Sequence, residues 1–269
     1  MIPSFVLSLR EGLEAALIIG IVLGALRKTG RADLIRPLWA GVISAAILSL
    51  LSALLLRGIG EKLEGRSEQI FEGLTLFLAA GVLTWMIFWM RRQSGSMEAK
   101  LESNVNRAAN HAGQGAIFFL AFIAVLREGI ELALYLTAIS LSSTGIQTLL
   151  GTSIGLFVAS LLGYLLFTTT LRLNMKRFFQ VTGIILILIA AGLLAHSIAE
   201  FNEAGIIPAI ISPIWDLNHL LDDQSIVGMI FRALFGYNGN PSLTEALGYC
   251  GYILAIVWVF LKTRKLQPG

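Results

Sequence analysis

Charge is scarce in this 269-residue chain. Asp, Glu, Lys and Arg make up 14% of it, against roughly 25% in soluble domains. A single cysteine, Cys250, excludes an internal disulfide and carries no message about redox compartment. Only three histidines are present, and none lies near the charged phrases described below, which argues against a zinc or soft-metal centre. Long basic runs are absent too. The lysines and arginines are spread over short segments, which excludes a nucleic-acid partner. The first apolar stretch has no basic leader and is interrupted by Arg10, Glu11 and Glu14, so it is read as a retained span rather than a cleavable signal.

Hydrocarbon is what the chain has in quantity: 56% hydrophobic residues and a mean hydropathy of +0.78. The expected fold class is an all-α integral membrane protein, because lipid offers no partner to an open strand edge. Uncharged runs predict seven transmembrane helices, at roughly 4–26, 37–56, 69–90, 115–141, 148–170, 178–200 and 242–261. The basic residues between them set orientation. Arg27, Lys28, Arg31 and Arg36 follow the first span, and Arg91, Arg92, Lys100 and Arg107 the third. Arg172, Lys176 and Arg177 follow the fifth, and Lys262, Arg264 and Lys265 the seventh. All four groups fall on one side, which is then cytoplasmic, giving an N-out/C-in arrangement.

The chain repeats itself. Arg10-Glu11-Gly12 returns as Arg127-Glu128-Gly129, and Ala79-Ala80-Gly81-Val82-Leu83 as Ala190-Ala191-Gly192-Leu193-Leu194. Each copy holds three spans, and an odd number inserts the copies in opposite directions, as in many transporters. The expected division is 1–91 as the first three-helix repeat and 92–114 as a cytoplasmic loop with an amphipathic helix. Residues 115–200 form the second, inverted repeat, 201–241 an acidic outer loop with short helices, and 242–269 a C-terminal helix with a basic tail.

The scarce charges concentrate where they cost most. Arg10-Glu11-Gly12-Leu13-Glu14 lies inside the first span and Arg127-Glu128-Gly129-Ile130-Glu131 inside the fourth. One charge at the bilayer centre costs at least ~2.5–3.5 kcal/mol. On a helix Glu11 and Glu14, or Glu128 and Glu131, project from one face, with Arg10 and Arg127 placed to pair four residues on. Four glutamates and two arginines leave a formal −2, which a cation would offset. Oxygen-only ligands favour hard cations such as Fe(III), Mn(II), Ca(II) or Mg(II), and Fe(II) less selectively. Glu72, at the start of the third span, is a further candidate for entry or release. Glu203, Asp216, His219, Asp222 and Asp223 form a candidate outer cation-collecting patch. Trp85, Met86 and Trp89 read as packing and interface anchors.

The doubled Arg-Glu-Gly-Leu/Ile-Glu phrase resembles that of the oxidase-dependent iron transporter family, the Ftr-type high-affinity iron permeases, and most of all its bacterial EfeU-like branch. Phe71-Glu72-Gly73, Phe88-Trp89-Met90-Arg91 and Glu203-Ala204-Gly205 are similar to the same branch, as are Phe235-Gly236-Tyr237 and the later Glu245. The resemblance covers nearly the whole chain. It implies a transporter, not an enzyme, importing iron across the bacterial inner membrane, with Glu11, Glu14, Glu128 and Glu131 handling Fe2+ or Fe3+ as substrate. It implies no permanently bound cofactor. A separate periplasmic iron-binding protein and a haem peroxidase are the partners it suggests, along with membrane lipid. Rival readings are a manganese or lead transporter, a membrane di-iron enzyme, and a structural subunit. The second usually carries Glu-x-x-His, whereas the third residues on are Glu14 and Glu131 here.

Orientation is directly testable. With Thr29→Cys in a Cys250→Ser background, a membrane-impermeant maleimide should label the protein only after spheroplasts are opened. Labelling of intact spheroplasts would reverse the assignment.

Overall fold

In the computed structural model of this chain, the described residues are 1–60, 62–93, 113–141, 145–168, 175–219, 221, 225, 227–228, 231–232 and 236–265. Among them the structure is all-helical, without strands. Seven long helices follow one another: α1 (Ile2–Lys28), α2 (Ile35–Gly60), α3 (Arg66–Gln93), α4 (Gly113–Leu141), α5 (Gly145–Thr168), α6 (Met175–Glu203) and α7 (Leu243–Lys265). A single 3-10 turn at Ala32–Leu34 leads into α2. At ~1.5 Å per residue even the 23-residue α7 reaches about 34 Å, more than the ~30 Å hydrocarbon layer.

Five of the seven, α2, α3, α5, α6 and α7, are long and apolar enough to cross a membrane. The other two, α1 and α4, are 27 and 29 residues long and carry the charged phrases. The apolar side chains point outward. Leu50, Leu51, Leu54 and Leu55 of α2, Leu149 and Phe157 of α5, and Leu254 and Trp258 of α7 are all exposed. Arg10, Glu11, Glu14, Glu128 and Glu131 are buried. Greasy outside and charged inside, the molecule is a multi-pass membrane protein.

Helix partners are set by small residues. α1 packs chiefly on α5, α2 on α4, and α3 on α6. α1 and α4 meet in the middle and run in opposite directions. Ile18, Val22 and Leu26 of α1 share a buried cluster with Ile117 and Ala121 at the start of α4. Val6 and Leu7 share another with Tyr135, Ala138 and Ile139 at its end. Each phrase glycine allows a close helix approach. A side chain at Gly12 would collide with Ala159 of α5, and one at Gly129 with Ser49 of α2. The glycines therefore bring in the covering helices rather than opening room beside the carboxylates. Ala79 and Ala80 of α3 share one buried cluster with Ala190 of α6, so the repeated small-residue phrase lies against its own copy.

The segment between α6 and α7 is tied down. Ser242 Oγ accepts from the Glu245 backbone N–H at 3.2 Å, and Glu245 Oε2 accepts from the Ser242 N–H at 3.4 Å. This is a reciprocal cap that satisfies two donors at the start of α7. Asn238 Nδ2 donates to both oxygens of the buried Glu245, at 3.0 and 3.1 Å. Backbone at Gly236, in the left-handed region at φ +65°, lies directly on Gly192 of α6, where a Cβ at Gly236 would collide with the Gly192 backbone. Between the end of α6 and the start of α7, helical residues are described at 227–228 and 231–232. The expected helix over 97–109, together with Asp222 and Asp223, lies outside the described residues.

The α1–α5 seam yields a stability prediction. A Cβ at Gly155 would press into Ser8 Oγ and the backbone of Phe5, whereas one at Gly24 meets open space. Gly155→Val should lower the melting temperature by roughly 5 °C or more, overpacking costing ~1–3 kcal/mol or above. Gly24→Ala should leave it unchanged. Detergent-solubilised thermal unfolding followed by size-exclusion fluorescence reads both.

Candidate metal centre

The antiparallel crossing of α1 and α4 puts the two phrases at one level. Glu11 of α1 and Glu128 and Glu131 of α4 each offer a carboxylate oxygen to one point, all within 4.8 Å of one another. All three are buried. Glu14 stands beside this group rather than in it, with its Oε1 at 3.3 Å from Arg10 Nε. The sequence pattern expected four equivalent carboxylates, and the structure brings three together.

Several of these oxygens lack hydrogen-bond partners. Both oxygens of Glu11, both of Glu14, and Oε2 of Glu128 are buried without one, as are Nε and Nη1 of Arg10. Arg10 lies within ion-pair distance, at 3.7 Å from Glu11 and 3.3 Å from Glu14, yet not aligned for hydrogen bonding. A buried charge left without aligned partners is costly. Aligned donors are few around these carboxylates, which leaves their lone pairs available to a metal ion. Carboxylate oxygens without thiolate or imidazole suit a hard cation.

The second phrase is better satisfied. Arg127 Nη2 lies 2.8 Å from Glu128 Oε1, its Nε donates to the same oxygen at 3.1 Å, and Nε lies 3.5 Å from Glu131 Oε1. The Tyr135 hydroxyl donates to Glu131 Oε2 at 3.4 Å. Tyr135 is fully buried, one helical turn beyond Glu131, and a face-by-face reading of α4 could have found it. Met90 and Trp89 of α3 also reach the site. Arg10 Nη2 donates to Met90 Sδ, and the Arg127 guanidinium carbon lies 4.6 Å from the centroid of the Trp89 ring. No local sequence signal pairs these residues, because they belong to different helices. One turn past Tyr135, Ile139 borders a cavity of about 40 Å³ shared with Met1, Gly192, His196 and Arg232.

The remaining candidates lie elsewhere. Glu72 is near the start of α3, close enough to Glu68 and Glu203 to be repelled by both. Glu200 of α6 joins them, facing Glu72, Glu203 and Glu68, with His196 Nε2 3.9 Å from its Oε1. Glu203 Oε2 accepts from Gln69 Nε2 at 3.3 Å. Glu68 and Glu200 were not singled out from sequence. They lie at the ends of two helices far apart in the chain, and only packing of α3 on α6 joins them. Asp216 Oδ1 accepts from the Asn218 backbone N–H at 3.0 Å within its own turn, and His219 is exposed.

A helical, multi-pass membrane protein with its carboxylates gathered at its centre belongs among the membrane transporters, and comparison with known proteins agrees. The chain belongs to the iron permease FTR1 family, whose model matches residues 1–266. It is therefore a transporter and not an enzyme. A ferrous iron permease EfeU of Escherichia coli O157:H7 is 35% identical over 263 residues, spanning 97% of this chain and 95% of that protein. One from Yersinia pestis is 33% identical over 268 residues, spanning 98% and 95%. No solved structure matches the chain.

The unequal arginines predict unequal costs. Arg10 is 2% exposed and Arg127 37%. Removing one partner of a fully buried pair strands the other charge, which costs ~3–5 kcal/mol. Arg10→Met should therefore lower the melting temperature at least twice as far as Arg127→Met, measured in detergent with a chelator present. Equal shifts would contradict the difference in burial.

Proposed function

We propose that this protein is a high-affinity permease that imports iron across the bacterial inner membrane through the carboxylates of α1 and α4. Glu11, Glu128 and Glu131 ligate the ion directly. Glu14 completes the charge and takes part as iron passes. Arg10 and Arg127 tune the site, so that the net −2 is matched by a divalent ion. The observation that carries this reading is the convergence of buried carboxylates from both phrases with oxygen atoms left unpartnered. The relatives' name, ferrous iron permease, points to Fe2+ as the form carried. Iron is substrate here, not a resident cofactor.

The path follows from two inverted halves, 1–91 and 115–200, joined by the cytoplasmic loop 92–114. The outer loop 201–241 and the helix and tail of 242–269 complete the chain. Reciprocal packing supports inversion: α1 lies on α5 as α2 lies on α4. The two phrase glycines support it further, since each admits the second helix of the other half. With the N-terminus outside, Glu72 and Glu203 lie at the outer end of α3 and α6, where they attract cations. Asp216, His219, Asp222 and Asp223 extend that attraction over the outer loop. Iron then sheds water onto the carboxylates, and rocking of one half against the other exposes it to the cytoplasm. A periplasmic iron-binding protein and a haem peroxidase are the partners that would deliver iron to this face.

Uptake of radioactive ferrous iron into proteoliposomes tests the assignment. Glu14→Gln and Glu128→Gln should each reduce the initial rate at least about tenfold while inserting normally, a loss on the scale of removing one charged ligand. Excess manganese should compete weakly. Undiminished iron uptake by both variants would refute the carboxylate path, and stronger uptake of manganese than iron would reassign the substrate.

A further inference from the structure

Arg10 and Arg127 hold the same place in two copies of one phrase, yet their surroundings differ. Both reach consecutive residues near the end of α3. Arg10 meets the thioether of Met90, and Arg127 lies over the ring of Trp89. Trp89 is itself stacked on Trp85, centroids 6.4 Å apart. Arg10 is sealed at 2% exposure, whereas Arg127 is 37% exposed.

The physical consequence lies in what each arginine could do on leaving its carboxylates. A guanidinium in a dry interior loses its compensation when it moves away from a carboxylate. A thioether is a weak acceptor and restores little. An indole face differs: its quadrupole attracts the cation through the ring, while the N–H donors at the guanidinium edge stay free to turn. Arg127 thus has a second resting place and Arg10 has none. The contested atom is Glu128 Oε1, which takes both Arg127 Nη2 and Nε. Glu11 and Glu14 receive no aligned bond from Arg10. An arriving cation therefore competes with Arg127 far more than with Arg10.

We propose that Trp89 is a positioning residue for iron transport. Its indole face already touches Arg127 in the empty site and carries the unpaired guanidinium when iron takes those carboxylates, which favours the loaded site. Arg127 is then the mobile counter-ion, and Arg10 the fixed one. This rests on the reading of Glu128 and Glu131 as iron ligands.

Equilibrium dialysis of radioactive ferrous iron under reducing conditions, with the full chain in lipid nanodiscs, tests the role without requiring transport. Trp89→Leu should weaken iron binding roughly three- to fivefold, the scale of one cation–π contact at a partly exposed site. Trp89→Phe, which keeps an aromatic face, should stay within about twofold of the parent. In an Arg127→Gln background, Trp89→Leu should change nothing further, since the cation it serves is gone. A loss of equal size in both backgrounds would mean that Trp89 only packs, and would overturn the proposal. So would an undiminished affinity in Trp89→Leu, or a loss in Trp89→Phe as large as in Trp89→Leu. Normal iron binding by a Glu128→Gln, Glu131→Gln double variant would instead remove the carboxylate site on which the proposal stands.

Discussion

Six formal charges in two membrane helices cannot be left facing lipid. At ~2.5–3.5 kcal/mol or more for each, α1 and α4 taken singly would be poor spans. The cost falls when they face each other, because the ion pairs that each helix makes within itself are then turned away from hydrocarbon. The antiparallel crossing of α1 and α4 follows from that need. The covering of the pair by α5 and α2 follows as well, and it explains the glycine within each phrase. Ala159 and Ser49 stand where a side chain at Gly12 or Gly129 would be. Close approach by the covering helices shuts lipid away from the charges.

Once the pair is covered, the third helix of each half decides how the two ends of the site differ. In the proposed repeat, Ala79 aligns with Ala190, and the same register sets Trp89 and Met90 of α3 against Glu200 and Phe201 of α6. One helix thus offers an aromatic face and a thioether to the arginines. The other offers a carboxylate that gathers with Glu68, Glu72 and Glu203 at the opposite end of the α3–α6 pair. A transporter with two identical ends has no preferred direction built into its binding groups. On the proposed transport path, an indole and a carboxylate at matching places would give one end a surface that collects cations and the other a surface that holds an internal cation in reserve.

Much of the fold was readable from sequence. Apolar runs found all seven helices, with boundaries displaced by a few residues because helices extend past the hydrocarbon into polar ends. Spacing also gave the local pairs, Arg10 with Glu14 and Arg127 with Glu131, since i and i+4 are neighbours on any helix. What spacing could not give is which side chains from distant helices converge. The meeting of Glu11 with Glu128 and Glu131 and the reach of Met90 and Trp89 to the arginines depend on crossing angles and rotamers. Glu72 illustrates the same limit. A lone carboxylate near a span end suggested a route to water, and packing of α3 on α6 placed it among other carboxylates.

The presence of arginine in the proposed cation site has its own logic. Four glutamates alone would hold a divalent ion so strongly that release would be slow, and passage requires binding weak enough to leave. They would also repel one another whenever the site was empty. An internal guanidinium answers both demands. It would offset part of the carboxylate charge between passages and compete with the ion for the same oxygens during them, so departure of iron would leave a net −2 rather than −4. For that exchange to be cheap, at least one guanidinium needs somewhere to stand while displaced. Arg10, enclosed and with the Met90 thioether beside its own carboxylates, lacks such a place; Arg127, partly open and lying on an indole ring, has one.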